Sequence, residues 1–406
     1  IYAPAIILSA LLGWNINYLN IIIGLLVIIY TVTGGTKAVN VTQKQQMFII
    51  LLGMVITFFW ILYYLPNDMT FSNAMHIAGA NDKMNSVNFS FDPEEKYTFW
   101  SGITGGFFLA LAYFGTDQSQ VGRYLSGKSV RESQMGLLMN GLLKVPMQFF
   151  ILLTGVLVFV FFQFNPVPLN FNPNNKISVE NSPYKEEYNT LEKKLELISE
   201  DKKVINLLYI DQLNQDYDNP ILRKEMIALS NKEKDLRDRA KEIILKADSR
   251  SETNDKDYVF FHFILNYLPK GLIGLLLAVI ISAAMSSTAS GLNALASTTT
   301  IDIYKRNLKN EKSEKHYLNA SKLFTLFWGI IAILFACIGT LFENLIQLVN
   351  IIGSIFYGTV LGIFLVGMYS RRIQSSAIFY SAVFSQVAIF VIYYFAIYLY
   401  PSGERS

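Results

Sequence analysis

Apolar residues run through this chain in long blocks, not in strict alternation, and the blocks are separated by short polar connections. Nine apolar segments stand out, at about residues 1–14, 18–32, 47–65, 99–115, 136–162, 271–306, 323–342, 345–368 and 377–400. Most come near or exceed the roughly 20 residues that a helix needs to cross a bilayer, so the pattern predicts a bundle of membrane-spanning helices. The first segment reads as the end of a spanning helix interrupted at Pro4. Gly34-Gly35 is expected to stop the second, and Pro66 bounds the third.

A polar stretch from Asn165 to Asp257 interrupts the series. Within it, Tyr188 to Leu213 and Ile221 to Lys246 have helical periodicity, broken at Asn219-Pro220. Leu191, Leu195 and Ile198, followed by Val204, Leu207 and Leu208, form the expected apolar stripe of a helical hairpin outside the membrane. Three parts follow: a first transmembrane part at 1–164, the insert at 165–257, and a second transmembrane part at 258–406. A lid, a partner-binding surface and a passive decoration are the readings of the insert.

Composition supports the membrane assignment. Of 406 residues, 52% are hydrophobic and only 16% charged, against about a quarter charged in soluble domains; the mean hydropathy is +0.33. A net charge of +3 gives no reason to expect a nucleic-acid partner. The single cysteine, Cys337, and three scattered histidines supply no disulfide framework and no metal-ligand spacing. Short connections carrying Lys37 and Lys44, Arg123 to Arg131, Lys305 to Lys315, and Arg371 with Arg372 alternate with an acidic one at 66–98. By the positive-inside bias the basic connections are cytoplasmic, and the insert falls on the extracellular or periplasmic side of a plasma (inner) membrane.

The stretch Gly271 to Arg306 changes the picture from a bundle to a bundle with a site. From Ser282 onward it is crowded with Ser, Thr, Ala and Gly and carries Asn293, and in hydrocarbon the hydroxyls and the amide are costly unless they meet protein, water or an ion. Ala283, Ser286 and Ser287 stand at i, i+3 and i+4 and share a face. Such a face either ligates a small hard cation through oxygen or lets helices pack closely, with hydroxyls bonded back to their own carbonyls. Lys144, inside an apolar segment two residues ahead of Pro146, is a site candidate by its cost, with snorkelling as the other reading. Gln347 and Asn350, about one turn apart, are either helix–helix glue or solute contacts.

Ala283-Ala284-Met285-Ser286-Ser287-Thr288-Ala289-Ser290, with Asn293 and Asp302-Ile303-Tyr304-Lys305-Arg306, resembles the signature helix of the sodium:solute symporter family. That resemblance implies a five-plus-five inverted-repeat core of the leucine-transporter type, in an all-α polytopic membrane bundle carrying the extramembrane hairpin. This chain matches the core from the tail of its third helix, so its first helices are expected to be absent. The resemblance further implies sodium binding at Ala283, Ser286 and Ser287. It places solute near Lys144 and Tyr113, with Tyr113 and Phe114 as the inner gate. Gln43 stands where the family has an aspartate, so a second sodium site with Ser290 would lack that charge.

The expected function is sodium-coupled symport of a small organic solute (a sugar, sialic acid, carboxylate or similar) into the cell by alternating access. Na+ is the coupling ion, and no other metal or cofactor is implied. No nucleophile–base pair or phosphate loop points to an enzyme. The alternative is a symporter-like membrane sensor domain of a signalling protein. Neither the solute nor the oligomeric state is readable from these residues.

Overall fold

As a computed structural model, the structure describes residues 1–85, 87–92, 95, 98–125, 129–249, 251, 253–308, 311–338 and 345–399. Within these, the side chains of 10–11, 34–44, 123, 125, 345–350 and 396–399 are outside the description. Helix is the sole regular structure among the described residues. Seven described stretches are long and apolar enough to cross a membrane: Ile16–Thr33, Gln45–Tyr64, Val130–Phe161, Lys270–Lys305, Glu314–Ile338, Ile351–Tyr369 and Ser375–Phe395. Two of the nine expected segments fall outside that set: α1 (Tyr2–Leu12) has only 11 residues, and the 18-residue α4 (Phe99–Thr116) is long enough but is diluted by Gly, Ser and Thr. The chain is an integral membrane protein, and its contacts divide it into two compact units.

The first unit holds residues 1–86 and 140–341. Its α1 is not interrupted at Pro4, since the helix starts at Tyr2 and a proline in the first turn has no intrahelical N–H bond to lose. The helix ends at Gly13, whose φ of 69° suits a residue without a Cβ. Asn15 then caps α2 (Ile16–Tyr64) by accepting from Asn17 N.

Here a second expectation fails. The backbone of α2 is one helix of 49 residues, not two segments separated at Gly34-Gly35. Glycine in a helix interior costs about 1 kcal/mol but forbids nothing, and no proline lies between Ile16 and Tyr64.

Long antiparallel seams organise this unit around α2. Its C-terminal half runs against α11 (Lys270–Thr298): Trp60 Nε1 donates to Tyr267 O, just before α11, at 3.1 Å, Gly53 packs on Leu276, and Gln46 Nε2 donates to Ser282 Oγ at 2.6 Å. The N-terminal half runs against α12 (Glu314–Ile338) through Asn20 Nδ2 to Ala336 O at 3.0 Å, Gly24 against Ile333, and Ile28 against Gly329. Leu19, Ile23, Val27, Ile28 and Leu292 are buried along these seams.

A Cβ added at Gly24 would overlap Ile333, and one at Gly329 would overlap Ile28. Either Gly→Ala change is expected to destabilise the unit by about 2 kcal/mol through overpacking. Shortening the facing isoleucine to Val or Ala should recover part of that loss in a melting experiment on the purified protein; equal loss in single and double variants would remove this account of the seam.

The end of α2 meets α6 (Val130–Phe161) and α10 (Val259–Tyr267) in a set of rings. Tyr64, Phe161, Phe263 and Tyr267 contact one another with centroid separations of 4.6 to 6.2 Å. Above this level lie α7 (Pro173–Glu180) and the hairpin of α8 (Lys185–Leu213) and α9 (Pro220–Ala247). The hairpin is fastened, not free. Asn206 reaches Gln163 O, Asn214 reaches Asp68 O and Asn73 on α3 (Phe71–Ala80), and Ser230 reaches Asn81.

Only half of the expected stripe on α8 faces inward. Leu191 and Leu195 are buried with Tyr188, Ile243 and Ile244, but Val204, Leu207 and Leu208 are exposed. The buried face continues instead through Lys202, Asn206, Tyr209 and Ile210. On it Lys202 pairs with Glu233 at 2.6 Å and Tyr209 donates to Asp218 at 2.8 Å, while Asn206 Oδ1 is buried without a partner.

The second unit holds residues 87–139 and 342–406. In it α4 packs against α13 (Leu345–Tyr369), and α13 against α14 (Ser375–Leu399). Thr98 and Ser101 form a reciprocal cap at the start of α4. After its end, Asp117 accepts from Ser119 N and Oγ and turns the chain into α5 (Gln118–Leu125).

Candidate functional site

The seam between α2 and α11 contains the most distinctive polar arrangement of the first unit. Mid-helix hydroxyls in apolar surroundings usually donate to the carbonyl one turn back. Thr288 does so to Ala284 O at 2.8 Å, Thr299 to Leu295 O and Thr300 to Ala296 O at 2.7 Å. Ser286 does not. It is 3% exposed, and its Oγ is buried without a hydrogen-bond partner. An unmade bond of this kind costs about 1–3 kcal/mol, which a bound ligand would recover.

Ser286 lines a cavity of about 320 Å³ together with Tyr30 and Gln46 from α2 and Ala278, Ile281, Ser282 and Met285 from α11. Gln46 is buried. Its bond to Ser282 fixes the amide one turn before Ser286 on the α11 side. No carboxylate is among the lining residues, so the wall offers neutral oxygens only.

The other sequence candidates are distributed as follows. Ala283 is half-buried beside Ser286, whereas Ser287 is exposed, as a rotation of about 100° per residue requires. Ser290 is half-buried and bonded. Lys144 stands exposed on α6, which continues helically through Pro146. Tyr113 and Phe114 lie on α4 in the second unit, half-buried, with their rings edge to face at 5.1 Å. Gln43, Gln347 and Asn350 lie outside the described side chains. The α2–α11 seam therefore brings Ser286 to Gln46, Ser282 and Tyr30, none of which the sequence singles out. Ser282 carried a signal, standing four residues before Ser286 on the same face.

Beyond the seam, α11 passes into a π-helical stretch, Thr299–Lys305, inside the signature sequence. Trp328 Nε1 donates to Thr299 Oγ1 at 2.9 Å, and the Tyr304 hydroxyl meets His316 Nε2 at 3.0 Å, which tie this stretch to α12.

Comparison with known proteins places these features in context. The family model described as the sodium:solute symporter family matches residues 1–194 and 246–384, leaving out most of the hairpin. The human sodium/iodide cotransporter is 31% identical over 142 residues, which are 34% of this chain and 21% of that protein. Mouse solute carrier family 5 member 4B is 22% identical over 423 residues, covering 100% of this chain and 53% of that protein. A solved structure of the substrate-bound outward-open state of a Na+-coupled sialic acid symporter aligns with a TM-score of 0.62 at 21% identity. The alignment covers 95% of this chain and 63% of that one. This chain thus spans less than two thirds of the length of each of these relatives.

Proposed function

Because the chain belongs to the sodium:solute symporter family, we propose that it serves sodium-coupled symport of a small solute across the membrane by alternating access. The observation that carries this reading is the Ser286 hydroxyl, buried and unpartnered on the signature helix. Sodium takes hydroxyl and carbonyl oxygens, as hard cations do. We assign Ser286, Ser287 and Ala283 to its seat, with Ser286 as the ligand already turned inward. No covalent step is involved. Sodium drives transport by binding one conformation better than the other, which shifts the population toward that state.

Solute contacts are proposed at Lys144 and Tyr113, with Phe114 beside Tyr113 at the inner gate. A lysine in an apolar helix favours an anionic or hydroxyl-rich solute, which is compatible with sialic acid, a monocarboxylate or a sugar. The names of these relatives span sialic acid and iodide, so the class stays broad. With Gln43 in place of a carboxylate, one sodium per solute is the expected stoichiometry. The basic connections on the opposite side favour an extracellular or periplasmic insert 165–257.

Uptake of radiolabelled candidate solutes into proteoliposomes tests this, with an inward sodium gradient compared with an equal potassium gradient. Accumulation with sodium alone is the expected result. Uptake that ignores sodium, or none for any solute, would remove the symport reading.

A further inference from the structure

We propose that the hairpin carries a homodimer interface, a stripe along α8 that pairs antiparallel with the same stripe of a second copy of this chain. Lys194, Leu197, Asp201, Val204, Leu208 and Asp211 recur at the alternating three- and four-residue spacing of a heptad seam. All six are exposed, with Leu197 at 64%, Val204 at 55% and Leu208 at 49%. These apolar side chains stand uncovered on a helix whose other face is already packed on α9 and fastened to the end of α6. From residue 195 onward the stripe lies between the two stretches that the family model matches. It is a feature of this chain's own insert, independent of the ion site.

The occupant follows from charge. Lys194 stands at one end of the stripe and Asp211 at the other, and among the described residues neither has an ion-pair partner. Asp211 lies in the last turn of α8, which holds no basic residue. Its carboxylate adds to the negative end of the helix dipole and calls for a cation from outside the helix. A twofold axis midway between Asp201 and Val204 meets that need at both ends. Lys194 then faces Asp211 of the second copy, and Leu197 faces its Leu208, each pair occurring twice because the contact is isologous. Antiparallel alignment also opposes the two helix dipoles.

The surface beside Leu197 fits the same pairing. A groove of about 580 Å³ between α8 and α9 has Ile198 and Leu236 in its wall and Lys232 at its edge. It offers Leu208 of the second copy an apolar seat and its Asp211 a second cation. Asp235 also lines the groove, but Arg239 engages it at 3.0 Å. The central layers are the weak ones: they set Asp201 against Val204 of the second copy, so the dimer is a reversible one.

The mass of the full chain in detergent, followed by light scattering over a series of protein concentrations, tests the proposal. Wild type should pass from monomer to dimer as the concentration rises. Lys194→Asp and Asp211→Lys each set like charges against one another at both ends, and each should raise the dimer dissociation constant about tenfold. Combining the two restores opposite charges and should return the constant to near its wild-type value. Asp201→Leu should lower it about tenfold by replacing a carboxylate with apolar surface in the central layers. The three positions are exposed, so folding is not at stake in these changes. Loss in the single variants without recovery in the double one, or a dimer that ignores every change, would put the contact elsewhere and overturn the proposal. A wild type that stays monomeric throughout would overturn it as well, leaving the stripe to a lipid surface or a different protein.

Discussion

Ser286→Ala should raise the sodium concentration for half-maximal uptake by about ten- to a hundredfold, while leaving the sodium-free protein as stable as before or slightly more so. The two halves of that expectation come from one atom. The Ser286 Oγ is buried and unpartnered, so the ion-free protein carries an unmet hydrogen-bonding group that alanine would remove. The gain is about 1 kcal/mol. A bond from that oxygen to a charged partner is worth about 1.5–3 kcal/mol, which sets the size of the loss in sodium affinity. Ser287→Ala should weaken sodium dependence in the same direction without the gain in stability, because Ser287 is exposed. Initial rates of uptake across a sodium series, paired with melting curves in potassium, separate the two effects. A Ser286→Ala protein that melts earlier and keeps its sodium dependence would make the hydroxyl a packing element.

Glu233→Gln is expected to cost the insert about 3–5 kcal/mol, the usual penalty for removing one partner of a buried ion pair. Lys202, with a side chain only 7% exposed, lies 2.6 Å from Glu233 Oε2, and Arg237 lies 2.9 Å from Oε1. One carboxylate therefore serves two cations. Burial alone would push the Glu233 carboxyl up, but Lys202 and Arg237 outweigh it and hold it below the ordinary value. A depressed carboxylate stabilises the fold above its unfolded pKa, and that contribution is lost as the pH falls through the folded one. The hairpin should thus loosen on acidification below the usual glutamate range, and Glu233→Gln should abolish this pH dependence.

The consequence extends past the hairpin. Arg237 also donates to Leu169 O at 3.1 Å, and Asp255 accepts from Phe171 N at 2.7 Å, so the same cluster clasps the entry and exit of the insert. Hydrogen exchange in α8 and α9 is the readout. Unchanged protection in Glu233→Gln would mean that apolar packing around Leu195 and Ile244 holds the hairpin without the ion pairs.

The spans were legible because hydrocarbon demands long apolar runs, and the hairpin because helical periodicity survives in polar sequence. What failed did so for physical reasons. Gly34-Gly35 reads as a stop, but glycine merely weakens a helix. The distal stripe on α8 was assigned from Val204, Leu207 and Leu208, whereas the buried face is carried by Lys202, Asn206 and Tyr209, polar side chains whose partners lie far away in sequence. Hydrophobicity does not report a lysine that will meet Glu233.

The site shows the same division. Spacing put Ala283, Ser286 and Ser287 on one face, yet a rotation of one residue decides which hydroxyl is buried, and that depends on the angle at which α2 meets α11. Gln46 was invisible for a related reason. Its contact follows from the antiparallel register that sets it on Ser282, 236 residues away in the chain. Gln43, one turn earlier in the sequence, was the nearer guess by family pattern.

Sodium coupling as proposed requires an alkali ion seated at Ser286. Its most direct test is the melting temperature of the purified protein in sodium chloride and in potassium chloride of equal ionic strength, for wild type and Ser286→Ala. A ligand that binds only the folded state raises the melting point with its concentration. The expected result is a sodium-specific rise in the wild type that is absent in Ser286→Ala over the same range. A full sodium-specific rise in Ser286→Ala would contradict it.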